Sequence, residues 1–415
     1  VSSKLFQVSI LNNINLLIRV LTGIITAKLI AVYVGPAGMA LMGNFRNFLT
    51  SLESVSTLGF QNGIVKYVSE YRTDEKKKSQ FIAVLVVAIA IFSLLISGLS
   101  FVFRQQLSDY IFDEGLSFSF LFVVLACVFP IQAFNIVFIS IINGLERYKT
   151  LMTINILGNL LGFFISALLV YYWTLNGALL ALILAPAFVG LISFLGIRKD
   201  LINSLSIQRN SIIFQLLKPL FAYSIMALFT GLVAPLVSFY IRTYLMDHLG
   251  IDAAGYWEAT NRISNFYMMF INSLIAVYFL PKLSLGNRNV IRKEIKHYFI
   301  WILPIFALGL LMLYQFRTAV ITLLMSEQFL AVSDILSWQL LGDFFKAVSL
   351  IFGILFYAKR IVVAYLITEG LSFLTLVVSS VFLVDRYGIE GATMAHACTY
   401  FIYLALLFFY FRKKI

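Results

Sequence analysis

Cysteine, histidine, proline and charge are all scarce in this 415-residue chain, and each shortage closes off a class of function. The two cysteines, Cys127 and Cys398, sit inside apolar runs and cannot build a disulfide framework. With only three histidines there is no zinc-type ligand spacing, so no metal is expected. The cysteines read as small buried hydrophobes. Charged residues make up 12% of the chain, too few to clothe a soluble protein of this length. No Walker phosphate loop and no nucleophile elbow appear, so neither an ATP-driven pump nor a serine hydrolase is in view. The chain is expected to be no enzyme and to need no cofactor. Energy for transport would come from an ion gradient, the membrane potential or the substrate's own gradient.

What is present is apolar. Hydrophobic residues reach 61%, and mean hydropathy is +0.94. That composition belongs to an all-α integral membrane protein. The net charge of +12 does not point to nucleic acid, because Lys and Arg gather in short loops between apolar runs. Runs long enough to span fall near 5–30, 38–65, 80–103, 117–142, 150–173 and 177–197. Six more fall near 215–245, 253–281, 296–324, 332–357, 361–384 and 389–411, about twelve spans in all. No cleavage pattern separates the first run from the second, so the first span is read as the insertion signal.

The loops alternate in charge. One set carries Lys66, Arg72, Lys76–Lys78, Arg147, Lys149, Arg198, Lys199, Arg209, Lys218, Lys282, Arg288, Arg292, Lys293, Lys296, Lys359, Arg360 and Arg412–Lys414. The other carries Asp109, Asp113, Glu114, Asp247, Asp252, Glu327, Asp385 and Glu390. The positive-inside rule places the basic set in the cytoplasm, together with both termini.

An internal repeat runs through the chain. Asn176-Gly177-Ala178 and Glu390-Gly391-Ala392 open the sixth and twelfth spans, and Arg198-Lys199 and Arg412-Lys413 close them, each pair 214 residues apart. Gly35 and Arg46 have counterparts in Gly250 and Arg262, 215 and 216 residues on. Each half holds an even number of spans, so the repeat is parallel. The expected organisation is a six-helix bundle over 1–200, a linker over 201–214 and a second bundle over 215–415. Leu201, Leu205 and Ile212 among polar residues suit a segment at the cytoplasmic interface.

The candidate functional residues are those that bilayer physics disfavours. The first span carries Asn12, Asn15, Arg19, Thr22 and Thr26, and the second Arg46, Thr50, Glu53 and Thr57, each set stepping along one helical face. An Arg at mid-membrane depth costs about 2.5–3.5 kcal/mol on insertion scales. Arg19, Arg46 and Arg262 therefore read as a cationic lining for a phosphate or diphosphate, which a planar guanidinium pairs with through two hydrogen bonds. For Arg262 a plain pair with Glu258, four residues earlier, stands beside that reading. Lys28 reads as snorkelling to the interface. Asp343 and Lys346, three apart, read either as a self-neutralising pair or as a proton-coupling site. Glu53, Glu258 and Glu369 are further coupling candidates, and His396 reads as packing. Pro130, Pro186, Pro235 and Pro304 lie in or near spans, and Pro235 is either a hinge or a static kink.

Val34-Gly35-Pro36-Ala37-Gly38, Asn44-Phe45-Arg46, Gly59-Phe60-Gln61-Asn62-Gly63 and Lys66-Tyr67-Val68 together resemble the Wzx polysaccharide flippases. Ser337-Trp338-Gln339-Leu340 with Gly342-Asp343 and Lys346 extends the likeness. That group includes O-antigen translocases and enterobacterial common antigen lipid III flippases of the multidrug/oligosaccharidyl-lipid/polysaccharide (MOP) exporter superfamily. The resemblance implies two six-helix bundles that move an undecaprenyl-diphosphate-linked oligosaccharide across the bacterial cytoplasmic membrane. It implies as partners the lipid-linked glycan, the bilayer and the polysaccharide polymerase machinery. Related flippases place cavity arginines on spans one, two and eight, as Arg19, Arg46 and Arg262 are placed here. Asn12, Asn15, Asn265 and Asn272 would then face the sugars. Drug exporters of the superfamily use an acid on span one, where this chain has Arg19. A cation-coupled multidrug exporter, an anion channel and a scaffold are the competing classes.

Overall fold

A computed structural model describes the backbone of residues 2–112, 117–205 and 213–412, with side chains from residue 12 onward except 205, 213–219 and 221–223. Among the described residues every regular element is helical. They run α1 (Ser2–Tyr33), α2 (Gly35–Ser56), α3 (Gln61–Glu70), α4 (Glu75–Val102), α5 (Arg104–Phe112), α6 (Ser119–Gly144), α7 (Tyr148–Leu205) and α8 (Ile213–Leu249). There follow α9 (Ile251–Leu274), α10 (Leu280–Leu285), α11 (Arg288–His297), α12 (Leu303–Gln315), α13 (Arg317–Leu324), α14 (Val332–Lys359), α15 (Val362–Tyr387) and α16 (Ile389–Phe411). Wide π turns at Ile275–Phe279 and Tyr298–Ile302 precede Pro281 and Pro304, whose missing N–H groups a wider turn accommodates.

Ten described helical stretches are long and apolar enough to cross a membrane, so the chain is a multi-pass membrane protein. Two of the twelve expected spans are not separate among them, for physical reasons. The fifth and sixth form one stretch, Tyr148–Ser204, bent at Thr174 where φ is 45°. The second, α2, has the length to cross, about 33 Å at 1.5 Å per residue, but its polar stripe lowers its hydropathy. It also stops at Ser56, well short of the expected 65. Leu58 and Gly59 take φ of 50° and 64° there, and a side chain at 59 would strike the Leu228 backbone nitrogen at 2.8 Å.

The repeat is written into the backbone. Gly35 and Gly250, Glu146 and Arg360, and Thr174 and Gly388 are pairs 214 or 215 residues apart. All six have positive φ, from 45° to 91°. Gly177 and Gly391 match likewise: a Cβ would come within 1.8 Å of the Leu169 carbonyl oxygen in one and 2.1 Å of the Leu383 carbonyl oxygen in the other. Close backbone approach at the same place in both halves demands glycine.

The chain forms two compact units, Val1–Tyr33 with Asn44–Pro235, and Val34–Gly43 with Leu236–Ile415. The boundary on α8 falls at Pro235, the residue read as hinge or kink. The first unit's core is built by Phe60, Ile64, Phe81, Leu85, Val137, Ile141 and Ile197. The second's includes Ala40, Ile241, Leu245, Ala254, Trp257 and Val384. In the second unit the start of α2 lies against α9, because a Cβ on Gly255 would meet the Pro36 carbonyl oxygen at 2.0 Å. Large apolar side chains left on the surface, such as Leu94, Leu168, Leu374 and Phe382, are those the bilayer solvates. Cys127 and Cys398 are exposed as well, which corrects their reading as buried. Residues 198–205 prolong α7, and Leu201 joins the first unit's core. Residues 206–212 of the linker lie outside the described residues, as do Asp113, Glu114 and Lys413–Lys414 of the charged loops.

Candidate functional site

In the second unit, α8 and α9 carry a buried triad. Arg242 Nη2 donates to Glu258 Oε2 at 2.6 Å, and Arg262 Nε donates to Glu258 Oε1 at 3.4 Å. The side chains of Arg242, Glu258 and Arg262 are only 2%, 1% and 11% exposed. The Arg242 guanidinium carbon also lies 5.3 Å from the centroid of the Trp257 ring. Gly43 makes room for this. A Cβ there would stand 2.7 Å from both the Arg242 guanidinium and Glu258 Oε2.

Two guanidiniums share one carboxylate, so the triad keeps one net positive charge. Glu258 and Arg262 do pair along α9, as their spacing allowed, but Glu258 spends its shorter bond on Arg242. Sequence reasoning missed Arg242. The signal was there: an arginine within the seventh span is costly unless partnered.

A second polar cluster lies deeper in the same unit, where α9, α14, α15 and α16 meet. Asp343 is fully buried and accepts from Ser264 Oγ at 2.5 Å, from Tyr267 Oη and from Gln339 Nε2 at 3.4 Å. His396 Nε2 lies 3.0 Å from Asp343 Oδ1. Gly342 permits this approach, since a Cβ there would reach His396 Cδ2 at 2.3 Å. Of the readings made for Asp343, the self-neutralising pair named Lys346; the ion-pair contact present is His396, which had been read as packing. The Lys346 ammonium lies 5.2 Å from the Tyr400 ring centroid and hydrogen-bonds that residue, with Asp343 and Glu369 acting on its charge. Tyr403 Oη donates to Glu369 Oε1 at 2.5 Å.

In the first unit the polar stripes are partly turned inward on their own helices. Thr22 and Thr26 donate to the carbonyls of Ile18 and Thr22, both at 2.8 Å. Thr50 and Thr57 donate to those of Arg46 and Glu53, at 2.9 and 2.7 Å. Arg19 is exposed on α1, and Arg46 and Glu53 are part-buried on one face of α2. Asn15 accepts from Asn159 at 3.4 Å, which ties α1 to α7. Asn12 is part-buried, and in the second unit Asn265 and Asn272 are exposed on α9. Among the described residues no group of three or more His, Cys, Asp and Glu is placed to hold a metal ion.

Comparison with known proteins adds to this chemistry. Residues 8–285 match the family described as polysaccharide biosynthesis protein. Over 394 residues, 94% of each chain, the sequence is 29% identical to the lipid III flippases of Escherichia coli (strain K12) and Shigella flexneri. Among solved structures, the lipid II flippase MurJ in an inward closed conformation superposes with a TM-score of 0.77 at 16% identity, over 98% of this chain and 87% of that one. An inward-facing multidrug resistance MATE family transporter of the MOP superfamily gives 0.76 at 15%, over 95% and 94%. At such identities the two structures speak for the shared fold alone.

Proposed function

The chain belongs to the polysaccharide biosynthesis protein family, and from that membership we propose that it is a flippase for an undecaprenyl-diphosphate-linked oligosaccharide. It carries an O-antigen unit or lipid III from the cytoplasmic to the periplasmic leaflet of the bacterial inner membrane and catalyses no covalent chemistry. The observation that supports this best is the surplus of buried cation. Arg242 and Arg262 outnumber Glu258 inside the spans, and an uncompensated guanidinium there is stable when an anion visits it. A diphosphate has the charge and the oxygen geometry to do so.

In this reading Arg19 and Arg46 on the first unit and Arg262 on the second hold the diphosphate. Asn12, Asn15, Asn265 and Asn272 bond the sugars. The prenyl tail stays in lipid, because removing it would forfeit about 0.8 kcal/mol per CH2. The repeat halves, 1–200 and 215–415 joined by 201–214, move by alternating access, driven by an ion or the membrane potential. Glu53, Glu258, Asp343, Lys346 and Glu369 are the coupling residues of this reading. Both termini are cytoplasmic, and the product passes to polysaccharide polymerase machinery.

A cation-coupled drug exporter is the second reading, favoured by the MATE-like fold. Arg19 on α1 and the net-positive triad argue against a cationic cargo. Complementation separates the two. The gene is expressed in a strain lacking its lipid-linked glycan flippase and scored for surface glycan and for drug resistance. Restored glycan supports the flippase; resistance without glycan supports the exporter and overturns the proposal.

A further inference from the structure

The cluster around Asp343 contains four ionisable groups whose charges do not balance without a proton. Asp343 and Glu369 bring two negative charges, and Lys346 brings one positive. His396 is the group left to decide the total. As imidazolium it makes the cluster neutral; as imidazole it leaves one net negative charge in a buried site. The other titratable groups facing it are the phenols of Tyr267 on α9 and of Tyr400 and Tyr403 on α16, with Tyr365 of α15 acting on Tyr403. Phenols are neutral near pH 7, so they do not alter the count. No other described charge enters it. Arg242, Glu258 and Arg262 form their own triad.

We propose that His396, held by Asp343 and balanced by Lys346 and Glu369, is the exchangeable single-proton site that couples proton movement to transport. The inference rests on the flippase reading for what is transported, but not for the proton site itself. The proton that moves is the one on Nδ1. Nε2–H points at Asp343 Oδ1 in both states, since that carboxylate is an acceptor at 3.0 Å. On release the N–H bond at Nδ1 breaks, the electron pair stays on nitrogen, and the proton leaves to solvent. The Asp343 bond survives, and the cluster's charge falls from zero to minus one. Burial favours the neutral state, so the site takes up a proton whenever solvent can supply it and resists losing it while closed. A helix movement that opened it to one side of the membrane would turn that preference into directional proton transfer. His396 and Tyr400 on α16, Asp343 on α14 and Glu369 on α15 give such a movement three helices to act through.

Two measurements test this independently of one another. In histidine-labelled protein in micelles, one of the three imidazole NMR signals should titrate between about pH 5 and 8. That signal should vanish in His396→Gln and shift its midpoint in Asp343→Asn. In proteoliposomes carrying lipid-linked oligosaccharide, a gradient of about two pH units should bias wild-type flipping by up to about a hundredfold, one proton per cycle. His396→Gln should respond less than about twofold. Should His396→Gln fail to fold because its cluster carries a permanent negative charge, His396→Gln/Glu369→Gln restores neutrality; it should recover folded protein yet stay blind to the gradient. A His396 signal that does not titrate, or a double variant that still follows the gradient, overturns the proposal. Wild-type protein that shows the titration but moves no lipid-linked glycan would instead defeat the flippase reading.

Discussion

Replacing Arg242 with Met removes one guanidinium from the triad and makes two separable predictions. For stability, Glu258 is nearly fully buried and loses its 2.6 Å partner, keeping only the 3.4 Å bond to Arg262 Nε. Breaking a buried ion pair costs about 3–5 kcal/mol, and the surviving bond to Arg262 argues for the low end. The contact with Trp257 is lost too, worth about 0.5–2 kcal/mol. A loss of about 3 kcal/mol, a fall of roughly 150-fold in the folded-to-unfolded ratio, is expected from equilibrium unfolding in mixed micelles. For function, the triad's net charge drops from plus one to zero, so flipping should be lost even in the folded fraction. Arg242→Met/Glu258→Met separates the two effects. Replacing both partners of a buried pair with apolar side chains is often close to neutral, so stability should return to within about 1 kcal/mol of wild type. Arg262 then stands alone with its charge, and flipping in proteoliposomes should recover. If the single variant flips normally, or the double variant folds well and stays inactive, the charge-surplus argument is wrong.

Arg46→Ala should abolish flipping while leaving protein levels unchanged; undiminished transport would remove Arg46 from the diphosphate site. Gly255→Ala and Gly43→Ala should each cost about 1–3 kcal/mol by overpacking, since their Cβ atoms would fall 2.0 Å from the Pro36 carbonyl oxygen and 2.7 Å from Arg242. Gly98→Ala, which meets nothing within 4 Å, should instead stabilise by about 0.5–1 kcal/mol, and a thermal-shift series ranks the three. Thr174→Gly should raise stability by about 1–2 kcal/mol, because a β-branched residue there holds φ 45° and ψ −118°, a region glycine occupies freely. Asp74 caps α4 by accepting from the Lys77 backbone N–H, which holds its carboxyl below the usual range. A depressed folded value means the cap is intact above the unfolded carboxyl value of about 3.9 and is lost as pH falls through the folded one. Amide exchange at Lys77 should therefore quicken below about pH 4 in wild type and show no such step in Asp74→Asn.

Much of the fold was legible because the signals that specify it are local. Hydropathy over some twenty residues marks a span wherever it falls, and only α2, with its polar stripe, escaped a purely apolar criterion. The repeat could be read from glycine spacing, and the same positions take positive φ in both halves because a tight turn selects glycine, or strains what replaces it, as at Thr174. Glu258 and Arg262 were visible as a pair because four residues on a helix put them on one face. Arg242 lies sixteen residues before Glu258, and His396 lies 53 beyond Asp343. No periodicity links such residues. The meeting of α8 with α9, and of α14 with α16, decides which acid each base neutralises. The sequence by itself therefore determined a helical, duplicated membrane protein with too many buried cations. Only tertiary packing decided that Glu258 is shared between two arginines and that Asp343 faces a histidine. A charge's energy in a low-dielectric interior depends on its neighbours in space, and chain order does not state them.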